Sequence, residues 1–137
     1  MRYEELAVGQ TATFRKTVTE TDLVLFAGVT GDLNPAHIDQ VWAEQSQFGE
    51  RIAHGMLAAG FISAVLGMKL PGPGTIYLEQ TLRFTRPVRI GDTVAATAEI
   101  LELIPAKRRI RLATSCANQS GEVVVKGEAL VMLPPES

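Results

Sequence analysis

The stretch from Gly55 to Met68 reads GMLAAGFISAVLGM and is apolar on nearly every side of a helical projection. A helix that is hydrophobic all round has no face for solvent, so it lies in the interior of a domain. The segment Leu70–Gly74, LPGPG, follows and ends the helix, because proline and glycine are strong helix breakers. The sequence therefore predicts one long central helix with the rest of the chain wrapped around it.

Four segments after this helix have the pattern of β-strands. Apolar residues recur at every second position, which directs one face of each strand towards a core. The predicted strands are Thr75–Phe84, Thr93–Leu103, Arg108–Ala117 and Glu122–Leu133. In the last strand we expect a buried face and an exposed face, formed respectively by Val123, Val125, Ala129 and Val131 and by Lys126 and Glu128. The short turns Gly91-Asp92 and Ser120-Gly121 favour antiparallel pairing of these strands.

The segment before the helix begins with a predicted strand, Thr11–Val18. Thr19 and Asp22 have the spacing of a capping box, so we predict a short helix over Leu23–Val29 that stops at Gly31. The stretch GDLNP, residues 31–35, has the composition of a loop. A second short helix over Val41–Gln45 follows, with Asp39 as its cap.

These elements predict an α+β domain in which an antiparallel sheet of about five strands wraps round a buried helix. We expect residues 1–137 to form this single domain. Such a sheet leaves an edge open and only one face covered, and pairing with a second copy of the chain covers what is left. We therefore expect a homodimer.

Composition narrows the class of function. The chain carries 13 basic and 15 acidic residues and a net charge of −2, which argues against a general nucleic-acid binder. One cysteine and two histidines are too few for a closed zinc site, and a lone cysteine needs no oxidising compartment. No stretch has the length of a membrane span, and Met1–Gln10 does not have the pattern of a signal peptide. We expect a cytoplasmic protein that binds neither nucleic acid nor membranes and has no metal.

Asp32 and His37 are the residues most suited to chemistry. They lie five positions apart across a proline-containing loop, where a carboxylate and a neutral imidazole can share one water and exchange its protons. Aspartates in such loops also serve only as turn formers through local hydrogen bonds. Spacing alone leaves both interpretations open.

Gly55 begins the buried helix, where backbone N–H groups have no intrahelical partner and the helix dipole is positive. A thioester carbonyl at that point would be polarised as it becomes an enolate. Gly55 can equally serve only to permit a tight entry to the helix. Ser63 is the one hydroxyl within the helix and either bonds back to a helix carbonyl or lines a pocket. His54 is interpreted as a structural or capping residue.

Three motifs in the chain resemble those of MaoC-like dehydratases. The stretch FAGVTGDLNPAH, Phe26–His37, is similar to the hydratase 2 motif, with Asp32, Asn34 and His37 at the expected spacing. IAHGML, Ile52–Leu57, resembles the helix entry of that family, and Leu82–Val94 resembles its strand and turn. The resemblance extends from about Phe14 to Met132 and is greatest to the short (R)-specific enoyl-CoA hydratases of this family.

This resemblance implies a homodimer of hot-dog domains that hydrates trans-2-enoyl-CoA to (R)-3-hydroxyacyl-CoA. Asp32 and His37 would hold the reacting water, and the Gly55 amide would bind the thioester oxygen. Ser63 would lie beside the acyl pocket, and we also count Asn34 among the substrate-binding residues. No cofactor is needed, because coenzyme A is part of the substrate.

Leu66 lies three positions after Ser63, on the same helix face. We therefore expect Leu66 to form the floor of the acyl pocket, so that chains of about four to six carbons fit best without overpacking.

Two alternatives use the same fold. A hot-dog acyl-CoA thioesterase would direct water to the carbonyl carbon, and a non-catalytic subunit would bind acyl-CoA without turnover. The arrangement of Asp32, Asn34-Pro35 and His37 favours hydration. The sequence does not distinguish CoA thioesters from acyl-carrier-protein thioesters.

Overall fold

The computed structural model describes residues 1–135 and has the predicted α+β architecture, an antiparallel sheet wrapped round one long helix. The sheet has six strands in the order β1-β4-β5-β6-β2, and the short β3 pairs with β6 beside β2. The helices are α1 (Glu20–Thr30), α2 (Pro35–Ile38), α3 (Gln40–Glu44) and α4 (Gly55–Met68). The strands are β1 (Thr11–Thr17), β2 (Ile76–Gln80), β3 (Arg83–Phe84), β4 (Thr93–Ile104), β5 (Arg109–Ala117) and β6 (Val123–Met132).

The central helix α4 has the bounds that the sequence predicts, and one side of it is buried against the sheet. The expectation that the helix has no solvent-facing side is wrong, because Met56 is 54% exposed and Met68 is 72% exposed. Strands β4 and β5 alternate between buried and partly exposed residues along most of their length, which confirms the period-two pattern. Full burial of each Leu or Ile side chain in this core contributes about 1.5–3 kcal/mol. The helix contributes Ala58, Phe61, Ile62, Val65 and Leu66 to the core, and the two strands contribute Val94, Ala96, Ala98, Ile100, Ile110, Leu112 and Cys116.

The predicted strand Thr75–Phe84 is broken into β2 and β3. Its pairing with β6 shifts register after Tyr77, and the chain leaves the sheet at Thr81 before it returns at Arg83. At this break the Thr81 backbone packs directly against Gly127 of β6. The approach is so close that a Cβ on Gly127 would lie 1.8 Å from the Thr81 carbonyl oxygen. The prediction of one continuous strand is therefore wrong.

The predicted burial of β6 is wrong at its first residue. Val123 is 41% exposed and Val124 is buried in its place. The register of β6 against β5 shifts between Cys116 and Ala117, and this irregularity changes which side chains point inwards. The buried positions Val125, Ala129 and Val131 are confirmed.

The segment between β1 and α4 begins as predicted. Thr19 and Asp22 form the capping box of α1, and Gly31 ends that helix with a φ of 83°. The helix α2 is an addition to the prediction, capped by the side chain of Asn34, with Pro35 as its first residue. Asp39 caps α3 as expected.

Within residues 1–135, no helix combines the length and the hydropathy that a membrane span requires.

Candidate active site

His37 is held by a backbone carbonyl in a defined tautomer. It lies in the short helix α2 and is buried, and its Nδ1 is 2.7 Å from the carbonyl oxygen of Ile52. A carbonyl oxygen can only accept, so Nδ1 carries the proton and donates it. The Nε2 atom of His37 therefore has a free lone pair and can accept a proton from a bound molecule.

Asp32 lies in the loop that separates α1 from α2, and its side chain is exposed. The backbone N–H of Asn34 donates to Asp32 Oδ1 at 3.2 Å, and the Asp32 N–H donates to Thr30 Oγ1 at 3.2 Å. These local bonds are those of a turn-forming aspartate. A carboxylate oxygen has two acceptor positions, and the second oxygen adds two more, so Asp32 also has the capacity to bind a water.

His54 brings the loop and the start of α4 together. Its ring stacks on His37 with the two centroids 3.8 Å apart and the planes inclined by 29°, and its Nε2 is 3.0 Å from the Asp32 carbonyl oxygen. His54 is 3% exposed, so the sequence-based structural role is consistent with its position. His54 also occupies the N-cap position of α4, although its side chain makes no hydrogen bond to the helix terminus.

Asp32, His37 and His54 each offer a ligand atom within 4.8 Å of the others, so the cluster must also be considered as a metal site. Two of the four ring nitrogens donate to carbonyl oxygens. The cluster therefore offers at most three protein ligands, one carboxylate and the remaining nitrogen of each ring, whereas a closed zinc site needs four.

Gly55 is the first residue of α4 and lies beside this cluster. Its N–H belongs to the first turn, where amides have no partner within the helix. An ideal Cβ on Gly55 would lie 2.8 Å from two ring carbons of Phe84, so a side chain here requires the half-exposed Phe84 ring to shift. Close packing at Gly55 thus coexists with a first-turn amide in a residue that lines the cavity over the cluster.

Three neighbouring cavities meet at Met56. A cavity of about 280 Å³ lies directly over Asp32, His37 and His54 and also contacts Gly55 and Met56. A second, of about 460 Å³, shares His37, Gly55 and Met56 and extends between α4 and the segment Phe84–Val88. The third, of about 440 Å³, shares Met56 and runs along α4 to Ser63, beside β2.

The structure brings together most of the predicted site residues. Asp32, His37 and Gly55 line one cavity, and Ser63 lines the groove that leads away from it. Leu66 does not line this groove. Ser63 lies on the exposed side of α4, whereas Leu66 is 1% exposed and packs in the core. The expectation that Leu66 forms the pocket floor is therefore not supported.

Asn34 has a structural task that the sequence did not indicate, since its Oδ1 accepts the N–H of Ala36 at 3.0 Å and caps α2. Its assignment as a substrate-binding residue stays a prediction.

Sequence reasoning missed the contacts of His54 with the two candidate catalytic residues, and it missed Met56 and Phe84. The spacing AHG places His54 immediately before Gly55, and this was the only local signal for it.

The antiparallel sheet wrapped round the central helix defines a hot-dog domain, and the candidate site lies at the start of that helix. Residues 5–121 match the sequence profile of the MaoC like domain, and the chain belongs to that family.

The (R)-specific enoyl-CoA hydratase of Rhodospirillum rubrum is 52% identical over 132 residues, which are 96% of this chain and 91% of the relative. The 3-hydroxybutyryl-CoA dehydratase of Methylorubrum extorquens is also 52% identical, over 96% of this chain and 83% of its own. Among solved structures, the unliganded R-hydratase of Pseudomonas aeruginosa is similar with a TM-score of 0.93 and 55% identity, covering 98% of this chain and 86% of that one.

Proposed function

We propose that this protein is an (R)-specific enoyl-CoA hydratase, which adds water reversibly to trans-2-enoyl-CoA to give (R)-3-hydroxyacyl-CoA. The observation that carries the proposal is the orientation of His37, whose Nδ1 binds the Ile52 carbonyl and leaves Nε2 to accept a proton, in a cavity that Asp32 and Gly55 also line. The similarity to two enzymes named as a hydratase and a dehydratase of CoA thioesters supports the same reaction.

In the proposed mechanism, Asp32 and His37 hold one water between them. The water oxygen forms a bond to Cβ of the enoyl group while one of these residues removes a proton from it. A proton is delivered to Cα, so that the elements of water add across the double bond and the thioester stays intact. General acid–base groups in such positions contribute roughly 10²–10⁴-fold to the rate.

The amide of Gly55 would bind the thioester oxygen as negative charge develops on it during the addition. Donors already in place at a helix start stabilise such a charge without reorganisation. Coenzyme A enters and leaves as part of the substrate and product, so the reaction consumes no cofactor and needs no metal.

The two larger cavities suggest how an extended thioester would lie. The groove that passes Met56 and Ser63 is lined mainly by apolar groups and follows α4, as a fatty acyl tail requires. The cavity beside Phe84 and Arg86 shares Met56 with this groove, is also lined by Gly55, and would take the pantetheine arm. With this assignment the reacting carbons lie over Asp32 and His37.

We also propose that the protein is a homodimer. Within residues 1–135, strand β2 pairs only with β6, on one side, and three successive apolar residues on it, Ile76, Tyr77 and Leu78, are each about 40% exposed. An open edge of this kind favours pairing with a second copy. Light scattering at micromolar concentration tests this, and a clean monomer mass would reject it. A single domain over residues 1–137 and a cytoplasmic location are parts of the same proposal.

The decisive experiment for the activity uses purified protein and crotonyl-CoA. Hydration predicts loss of the enoyl absorbance with no free thiol, and chiral analysis of the product should give the (R) isomer. Release of free thiol would instead identify a thioesterase. Binding of the thioester without any turnover would identify a non-catalytic subunit, and either result would overturn the proposal.

A further inference from the structure

We propose that His54 is a positioning residue for Asp32, acting through the hydrogen bond from its Nε2 to the Asp32 backbone carbonyl. This inference rests on the proposed hydratase function, because it concerns the orientation of one member of the acid–base pair. Twenty-two positions separate the two residues along the chain. The bond therefore connects the loop that carries Asp32 to the start of α4, where Gly55 follows His54 directly.

The bond determines which nitrogen of His54 is protonated. A carbonyl oxygen accepts only, so Nε2 carries the hydrogen and the neutral ring keeps Nδ1 unprotonated. A fixed carbonyl at Asp32 limits rotation of the peptide that follows the Asp32 Cα, and the carboxylate side chain projects from that Cα. The other bonds of this loop, from the Asp32 N–H to Thr30 and from the Asn34 N–H to Asp32, join residues only two positions apart.

The ring of His54 is held so that Nε2 reaches this carbonyl. One neighbour is His37, stacked at 3.8 Å, and another is Phe26, with ring centroids 4.7 Å apart and planes inclined by 48°. The same ring therefore contacts the second member of the catalytic pair. His54 therefore contacts both Asp32 and His37. Removing its polar atoms while keeping its ring should change the position of Asp32.

The second ring nitrogen of His54, Nδ1, shows that packing alone does not explain why a histidine stands at this position. Nδ1 is buried and has no hydrogen-bond partner among residues 1–135. Burial of an unpaired nitrogen costs stability, and phenylalanine would supply a similar ring without that cost. The only polar atom of the side chain with a partner is the one that binds Asp32. We therefore assign the imidazole to the orientation of Asp32.

The test compares His54→Phe with wild type, alone and in an Asp32→Asn background, using crotonyl-CoA. His54→Phe keeps an aromatic ring and removes the hydrogen bond, so we expect an unchanged or higher Tm. We expect kcat to fall by roughly 10–100-fold, because small displacements of a catalytic group cost rates of that order. KM should change by less than about threefold, since ground-state binding does not depend on this orientation.

The double-mutant cycle separates positioning from a general structural role. If His54 acts through Asp32, the Phe substitution should change the residual kcat of Asp32→Asn by no more than about twofold, because coupled residues are not additive. Equal losses in the two backgrounds, or wild-type kcat in His54→Phe, would overturn the inference.

A further variant guards against misfolding of His54→Phe. His54→Gln places an amide N–H near the position of Nε2, and its kcat per folded molecule should be closer to wild type even though its Tm is lower. A kcat no higher than that of His54→Phe would contradict the role of the hydrogen bond. Failure of the proposed function is recognised separately, because wild type itself would then show no hydration in the same assay.

Discussion

The ring of Phe84 occupies the space that a side chain on Gly55 would need. An ideal Cβ on Gly55 would lie 2.8 Å from Cδ1 and from Cε1 of Phe84. Phe84 belongs to β3, so the edge of the sheet closes over the first turn of the central helix. A side chain at this position would force the half-exposed Phe84 ring to move, and the Gly55 amide is at the same time the proposed oxyanion donor.

Gly55→Ala should therefore lower kcat/KM for crotonyl-CoA by roughly tenfold or more, because the displaced ring or helix start moves the thioester site. Phe84→Ala supplies the control, since it removes the clash. If steric displacement is the cause, the double variant Gly55→Ala/Phe84→Ala should regain activity relative to Gly55→Ala. Wild-type activity in Gly55→Ala would show that Phe84 yields without consequence.

The catalytic pair can be tested with substitutions that preserve local hydrogen bonds. Asp32→Asn keeps a side-chain oxygen for the Asn34 N–H, and His37→Asn keeps an N–H near the position of Nδ1 for the Ile52 carbonyl. Each should lower kcat by roughly 10²–10⁴-fold. Circular dichroism and thermal melts establish that the variants are folded. Near-normal kcat in both folded variants would rule out the proposed mechanism.

The elements that the sequence predicts well are those specified by local pattern. The bounds of α4 follow from its apolar residues and the LPGPG segment, and the burial of β5 and of most of β4 follows from alternation. The break after β2 depends on the contact of Thr81 with Gly127, and the link of His54 to Asp32 joins distant positions. No local pattern encodes such contacts, because they exist only once the sheet and helix have assembled.

The Thr81–Gly127 contact predicts a large effect on stability. Gly127→Ala would place a Cβ against a backbone oxygen that cannot rotate away, so we expect the free energy of unfolding to fall by about 1–3 kcal/mol or more. Gly28→Ala is the matched control: it is exposed in α1, no atom lies within 4 Å of the new Cβ, and it should stabilise by about 0.5–1 kcal/mol. Urea denaturation of both variants measures the difference, and equal stabilities would contradict the contact.

Cys116 should be protected in the native protein. Burial raises the pKa of its thiol from 9.0 to about 12, and its Sγ donates to the Ala58 carbonyl oxygen at 3.4 Å. The thiolate is the reactive form, so labelling by a thiol reagent at pH 8 should proceed only as the protein unfolds. Because Cys116 is the one cysteine, total labelling reports this site alone. Rapid labelling of native protein, at the rate found in urea, would contradict this burial.

The raised pKa of Cys116 should make the folded protein less stable at high pH. Above about pH 9 the unfolded chain releases the Cys116 proton while the folded protein retains it. The folded state then binds more protons than the unfolded state, so the free energy of unfolding should decrease as the pH rises from about 9 towards about 12. Cys116→Ala should show a smaller decrease over that range when the two proteins are compared by urea denaturation.

The acyl tail can be located by filling the groove beside Ser63. Gly60 lines this groove, is exposed, and has no atom within 4 Å of an added Cβ, so Gly60→Leu should fold and project a side chain into the space. If the groove holds the acyl tail, the added leucine should weaken transition-state binding of long acyl chains by about 1–3 kcal/mol through overpacking. Short acyl chains do not reach the added side chain, so their binding should not change. The ratio of kcat/KM for octenoyl-CoA over crotonyl-CoA should then fall by roughly tenfold, at 1.36 kcal/mol per factor of ten.

Gly67→Leu provides the matched control, because Gly67 lies on the same helix with open space at its Cβ and does not line the groove. Its ratio should stay at the wild-type value. Leu66→Ala tests the other route, in which the tail enters the core, and should lower stability by about 2–5 kcal/mol whichever route is used. A ratio that rises in Leu66→Ala while Gly60→Leu leaves it unchanged would place the tail in the core against Leu66, and the groove beside Ser63 would then serve another part of the substrate.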